Sequence, residues 1–291
     1  MKVAVAVKMV LDCGVHLAID ETGKIVRQKD QSPLWVVNGA DRAALEASLK
    51  IKEEIKDTEI LAVNFGQAQG EECLYYALAR GADRAVLIED SDGVSGDTHF
   101  AGQVLAGYFR REQPDLILCG HSTTDSGMGC VGPFIAEHLT LPQITGAVKA
   151  EVSANEKRVI TVRRLEKGNR EVIECALPAV VSVDPIIMDP KYVSVNAYML
   201  VKKKKIERID LKKLDMNEGD RLRTRTIKIE PPRPRTKRTS TPDSKLSPSE
   251  RMKFIMSGGM SKNKESEILT GSPEHLANEI FEFLLGKGLL G

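Results

Sequence analysis

Asp115-Leu116-Ile117-Leu118-Cys119-Gly120-His121-Ser122-Thr123-Thr124-Asp125-Ser126-Gly127-Met128-Gly129-Cys130-Val131-Gly132-Pro133 is the stretch that decides the fold. Residues 115–119 are a short, largely apolar run. A polar, glycine-rich loop follows and opens into a helical pattern over residues 131–139. Strand, loop and helix in that order are the repeating unit of an α/β sheet. Gly127, Gly129 and Gly132 let the backbone approach a ligand closely. The N–H groups at a helix start have no intrahelical partner and sit at the positive end of the helix dipole. Together these features make a phosphate cradle. The stretch also reads as a glycine-rich loop without a ligand, because it carries neither a Walker lysine nor GxGxxG.

The alternation continues outward from this stretch. Strand patterns cover residues 2–7, 60–63 and 85–88, and helix patterns cover 40–55, 71–80 and 97–111, with Gly81 closing the second helix. The spacing predicts an α/β protein with an open, mostly parallel, doubly wound sheet. Aromatic residues are only 4% of the chain, so the core falls to Val, Ile, Leu and Ala, which suits strands buried on both faces. Ligands of such sheets bind beyond the carboxyl ends of the strands, here after Val7, Val63 and Cys119. The second half changes character. Residues 144–152, 157–166 and 170–176 read as an added antiparallel hairpin system, with a turn at Lys167-Gly168-Asn169. An apolar strand follows at 179–183, and 189–205 is irregular. Five prolines between 230 and 249 indicate an extended linker, and 272–285 is an amphipathic helix with Pro273 at its first position.

The chain has 291 residues and a net charge of +1, so it is not steered as a whole toward nucleic acid or membrane. Residues 201–240 carry 15 Lys or Arg against 6 Asp or Glu, a basic segment on an acidic body, which suggests an interaction arm. Lys202 to Lys205 lack interleaved aromatics and read as a solvated or partner-facing run rather than a nucleic-acid site. Five cysteines without a CxxC pair read as free thiols of a reducing compartment and offer no metal spacing. No charged leader and no apolar run of membrane-spanning length are visible. The expectation is a cytoplasmic prokaryotic protein, with the mitochondrial matrix as the alternative.

No Ser–His–Asp or Cys–His set is visible in order or spacing, so no catalytic residue and no metal ligand is expected. His121 reads as a rim histidine rather than a general base, and Cys130 as a thiol beside the cradle rather than a nucleophile. Asn38 and Asp41 precede or open the first helix. They read as helix caps or as ligand contacts, and spacing does not choose between the two. Ser257-Gly258-Gly259-Met260-Ser261 has the outline of a pyrophosphatase SGGxDS loop without its Asp, and reads as linker.

Several segments in order resemble the electron transfer flavoprotein beta subunit family. They are Lys2-Val3-Ala4-Val5-Ala6-Val7-Lys8, Asn38-Gly39-Ala40-Asp41 with Ala44-Leu45-Glu46-Ala47, Ala79-Arg80-Gly81-Ala82-Asp83-Arg84-Ala85, Asp115 to Gly120 with Asp125, Leu177-Pro178-Ala179-Val180-Val181, Asp189-Pro190-Lys191-Tyr192, and Lys202 to Lys205 with Ile206-Glu207. The likeness covers roughly residues 1–215. It implies a Rossmann-like fold of the adenine-nucleotide-binding type with an extended C-terminal arm. It implies an alpha-subunit partner, an FAD shared with that subunit, and AMP or a second FAD in this one. By position it places Ala6, Asn38, Asp41, Phe65 and Gly66 at the adenine and ribose end. It places Gly120, Thr124, Asp125, Gly127, Met128, Gly129, Cys130, Val131 and Gly132 around the phosphate. Tyr192, Val195 and Met199 fall in a partner-docking loop that meets an acyl-CoA dehydrogenase, and the electrons pass on to a membrane-associated quinone oxidoreductase. The resulting division is a nucleotide-binding domain at 1–188, a recognition loop and basic arm at 189–230, a linker at 231–271 and a C-terminal helix at 272–291. Flavin chemistry belongs to the cofactor, so the chain is expected to be a carrier rather than a conventional enzyme. Residues 125–133 depart from the family's D-G-D-T-x-Q-V-G-P pattern, losing its second acid, Thr and Gln, which favours AMP. The rivals are an electron-bifurcating subunit with a second FAD that oxidises NADH, and a stand-alone adenine-nucleotide sensor.

Overall fold

A computed structural model describes residues 1–12, 18–19, 25–26, 35–91, 93–164, 168–214, 222–224, 227, 242, 246–256 and 269–286. The strands are β1 (Lys2–Ala6), β2 (Met9–Leu11), β3 (Ala18–Ile19), β4 (Ile25–Val26), β5 (Trp35–Val37), β6 (Glu59–Gly66), β7 (Arg84–Glu89), β8 (Leu116–Gly120), β9 (Gln143–Ser153), β10 (Arg158–Arg164), β11 (Arg170–Ala176), β12 (Ala179–Val183) and β13 (Glu207–Asp210). The helices are α1 (Gly39–Glu54), α2 (Glu71–Arg80), α3 (Thr98–Glu112), α4 (Val131–Leu139), α5 (Val195–Val201), α6 (Pro248–Met256) and α7 (Pro273–Gly286).

One nine-stranded sheet runs β11-β10-β9-β12-β8-β1-β6-β7-β13. Its pairings from β9 to β13 are parallel, and β9, β10 and β11 pair antiparallel. This is the mostly parallel α/β sheet with an added antiparallel hairpin that the sequence predicts. Strand alternation divides the interior into two cores. Val3, Val5, Ile60, Ala62, Leu116 and Leu118 pack with Leu45, Ile51 and Leu74 of α1 and α2. Ala4, Leu61, Val63, Ile117 and Cys119 pack on the other face with Val104, Tyr108, Phe109 and Ile135 of α3 and α4. The chain leaves β1 toward β6 and β7, then crosses back to place β8 on the other side of β1. The strand order therefore reverses beside β1, and a crevice opens at the carboxyl ends there.

The predicted helices and strands of the first half lie within one residue of the observed ones, except that the strand predicted at 60–63 runs from Glu59 to Gly66, extended by its parallel pairing to β7. The second half differs more. The irregular stretch 189–205 contains α5, capped by Ser194, whose hydroxyl accepts from the Ala197 N–H at 3.2 Å. β13 was not legible, because Glu207-Arg208-Ile209-Asp210 has a single apolar residue; it is held by pairing to β7. Lys202 is not simply solvated. Its ammonium pairs with Glu72 and lies 4.7 Å from the Tyr75 ring centroid. The antiparallel ladder places Arg164 opposite Arg170, while Lys167 of the expected turn lies outside the described residues. Cys13, the stretch 257–261 and most of the expected linker also lie outside them, although α6 is a helix within that linker. The described contacts form two compact units, Met1–Pro231 and Pro232–Gly291. In the second unit, α6 and α7 carry exposed Met252, Ile255, Phe281 and Phe283.

Candidate functional site

The crevice beside β1 holds a partly open cleft at the place where ligands of such sheets bind. Ala6, Val7 and Lys8 from the end of β1, Val63 and Phe65 from β6, and Cys119 and Gly120 from β8 form its floor. Ser95, Thr98, Ala101 and Leu105 close one side, and the loop from His121 to Val131 closes the other.

Asp41 ties the floor together. It sits in the first turn of α1, 5% exposed, and does not act as a helix cap. Its carboxylate accepts the Lys8 N–H at 2.9 Å and the Gly120 N–H at 3.0 Å, joining the ends of β1 and β8. Burial pushes this carboxyl up to about 7, against the hydrogen bonds from Asn38, Gly120 and Lys8 that favour its ionised form. Gly120 is required by this arrangement, since a Cβ there would stand 2.3 Å from Asp41 Oδ1 and 2.7 Å from Ala40 Cβ. Asn38 also makes no side-chain cap. Its Nδ2 donates to the Ser122 carbonyl at 3.0 Å, pinning the loop to α1, and its buried Oδ1 has no hydrogen-bond partner among the described residues. For both residues the capping reading gives way to a bridging one.

The loop is shaped by local chemistry. Gly127 and Gly129 adopt φ of +63° and +64°, where a side chain is strained. No side chain caps the start of α4, so its first N–H groups present a positive end to the cleft. Met128, Gly129, Cys130 and Val131 line the cleft there, with Cys130 Sγ bonded to the Met128 carbonyl at 3.0 Å. His121 lies at the rim. Its Nε2 is 3.0 Å from Ser122 Oγ, and its Nδ1 is buried with no hydrogen-bond partner among the described residues. The uncapped helix start and the apolar Ala6, Val63 and Phe65 floor suit a ligand with one apolar and one anionic end, and the unpartnered His121 Nδ1 lies in a residue that lines the same cleft.

Of the residues expected at this site, Ala6, Asp41, Phe65, Gly120, Met128, Gly129, Cys130 and Val131 line the cleft. Asn38 supports it from behind. Gly66 and Asp125 line an adjoining recess, and Thr124 and Gly127 line neither of the two. Gly132 serves packing, because a Cβ would lie 2.9 Å from Cys119 Sγ. Ser95 and Thr98 line the cleft without having been anticipated there. They come from the segment after β7, where Gly93 and Gly96 flank Ser95, and they reach the site through sheet order. Lys8 is the first residue after Val7, one of the three places the sequence points to. Its ammonium meets Asp125 Oδ2 at 2.6 Å. Burial raises the Asp125 carboxyl, but hydrogen bonds from Lys8 and Thr123 leave it below its ordinary range. Tyr192, Val195 and Met199 lie away from the cleft, at 83%, 67% and 59% exposure, with the last two on α5.

Fold and cleft together define a doubly wound α/β protein with a ligand-sized crevice at the point where its strand order reverses. Residues 25–214 match the electron transfer flavoprotein domain family. The chain is 35% identical over 221 residues to the electron transfer flavoprotein subunit beta of Bacillus subtilis, covering 76% of this chain and 83% of that one. It is 33% identical over 200 residues, 68% and 74% of the two chains, to the caffeyl-CoA reductase-Etf complex subunit CarD of Acetobacterium woodii. To the electron transfer flavoprotein subunit beta of Sus scrofa it is 30% identical over 240 residues, 80% and 90% of the two. The chain belongs to the electron transfer flavoprotein beta subunit family. Among the described residues no helix is long and apolar enough to cross a membrane, and no His, Cys, Asp and Glu group could hold a metal.

Proposed function

We propose that this chain is the AMP-holding half of a two-subunit electron carrier in the cytoplasm. Its alpha partner would share an FAD with it, receive electrons from an acyl-CoA dehydrogenase-type flavoenzyme and pass them to a membrane-associated quinone oxidoreductase. The observation that carries this reading is the cleft at the switch point, apolar at the β1 and β6 end and edged by the uncapped start of α4 at the other. Ala6, Val63 and Phe65 would flank the base, and the backbone from Gly129 to Val131 would hold the phosphate. Asp41 and Asn38 would keep the two strand ends and the loop in register. The flavin, when bound, supplies the one- and two-electron chemistry. The protein supplies position and shelter from water. The exposed Tyr192, Val195 and Met199 would serve as apolar anchors of the kind that suit a partner held weakly and released quickly.

A second reading has support of its own. The relative from Acetobacterium woodii bears the name of a subunit of a caffeyl-CoA reductase-Etf complex. A recess lined by Trp35, Gln67, Gln69 and Asp125 adjoins the cleft and shares Lys8, Phe65 and Ser95 with it, on the side where a longer ligand would extend. In this reading the subunit carries a second FAD and takes part in electron bifurcation from NADH. Cofactor extraction from the co-purified heterodimer, with chromatographic counting of FAD and AMP, decides between them. One FAD and one AMP supports the carrier, and two FADs without AMP supports bifurcation. A heterodimer without flavin overturns both.

A further inference from the structure

The cleft and the adjoining recess share three lining residues, Lys8, Phe65 and Ser95. Lys8 is fixed by its backbone, with its N–H bonded to Asp41 Oδ2 at 2.9 Å and its carbonyl accepting the Asn38 N–H at 2.9 Å. From that fixed point its side chain reaches Asp125 in the glycine-rich loop, Nζ to Oδ2 at 2.6 Å. Asp125 belongs to the recess, whereas its neighbours Thr123 and Ser126 line the cleft. The loop's carboxylate is therefore drawn to the recess side and held there by a cation common to both spaces. The Ser126 N–H, at 2.6 Å from Asp125 Oδ1, and the Thr123 hydroxyl hold its other oxygen. The recess beyond has chemistry of its own, with the half-exposed indole of Trp35 and the amides of Gln67 and Gln69 on its walls. An aromatic face beside amide groups suits a planar heterocycle that stacks and hydrogen-bonds at its edge.

We propose that the Lys8–Asp125 ion pair is a partition that sets the length of nucleotide the site accepts. Closed, it ends the cleft after a mononucleotide and separates it from a second subsite for a planar heterocycle. Open, it joins the two spaces into a site for a dinucleotide. The inference rests on the nucleotide-binding reading and adds the determinant of ligand length. Both side chains are about one-third exposed, at 32% and 33%, and ion pairs of that exposure are weak. The partition is accordingly one that a pair of substitutions, or a sufficiently favourable ligand, can open.

The test is titration of the full-length chain with AMP and, separately, with FAD, in the native sequence and in the Lys8→Met, Lys8→Arg and Asp125→Asn variants. Trp35 is the single tryptophan of the chain and lines the recess, so its fluorescence reports occupancy there. The expected result is that the native chain prefers AMP by about tenfold or more without quenching of Trp35. Lys8→Met and Asp125→Asn each tighten FAD in absolute terms by about tenfold, with Trp35 quenched. Lys8→Arg, which keeps the pair, stays native-like. FAD affinity unmoved in both pair-breaking variants overturns the partition. So does a loss of AMP affinity alone in Lys8→Met, which would make Lys8 a simple phosphate ligand. A native chain that already binds FAD in preference, with Trp35 quenched, overturns it as well. If the native chain binds neither ligand, the nucleotide-binding reading itself falls and takes the partition with it.

Discussion

Replacing Asp41 with Asn probes the centre of the site through its proton. The carboxyl is buried between the ends of β1 and β8, and burial raises its pKa from 3.8 to about 7. The interval between those values corresponds to on the order of 4 kcal/mol of differential stability. The sign follows from which state holds the proton. Below pH 3.8 both folded and unfolded chains are protonated at this position, and the contribution is fully present. As pH rises the unfolded chain ionises first while the folded one keeps its proton, so stability declines. The loss is complete once the folded carboxyl ionises above about 7. Asn cannot titrate, and its single oxygen can accept only one of the two N–H groups from Lys8 and Gly120. That mismatch costs about 1–3 kcal/mol at every pH. Denaturant unfolding followed by circular dichroism at several values between pH 4 and 8 should therefore show two non-parallel curves. The native chain is the more stable at the acid end, and its advantage shrinks by several kcal/mol, or reverses, by pH 8. Two curves that stay parallel across the range would refute the buried-carboxyl reasoning.

Three further outcomes are expected. Gly120→Ala places a methyl within 2.3 Å of Asp41 Oδ1 and 3.0 Å of the Ala40 carbonyl carbon, so it should cost about 1–3 kcal/mol and abolish tight AMP binding, read by denaturation and calorimetry. Arg80→Met strands Glu46, which is 2% exposed and paired to Arg80 at 2.5 Å, and should cost about 3–5 kcal/mol, with much of that recovered when Glu46→Leu is added. Asp97 caps α3 through Phe100 N–H at 2.9 Å, and its other oxygen holds the N–H groups of Arg223 and Thr224 at 2.7 and 2.6 Å. Asp97→Ala should lower stability by about 1 kcal/mol and speed hydrogen exchange at those two amides, while exchange in β1 and β8 stays slow.

Sequence alone determined the alternation of apolar strands and capped helices, because hydrophobic period and turn residues are local properties. It therefore determined the fold class, and it marked the loop after β8, where positive-φ glycines have to appear in the chain itself. It also pointed to Asn38 and Asp41, without choosing between capping and contact. That choice depends on where Lys8, Gly120 and Ser122 arrive, at separations in sequence from about 30 to 84 residues. Only the tertiary structure decided it, by placing β8 beside β1. The order β1-β6-β7 brought in Ser95 and Thr98 from the segment after β7, and the approach of α4 to β8 assigned Gly132 to packing against Cys119. β13 is the plainest case in the fold. A four-residue segment with one apolar side chain has no strand signal of its own, and it becomes a strand because β7 presents an unpaired edge whose N–H and C=O groups need partners. The Lys8–Asp125 pair likewise joins two residues 117 positions apart, a contact that composition and spacing cannot encode and that only the folded sheet brings within reach.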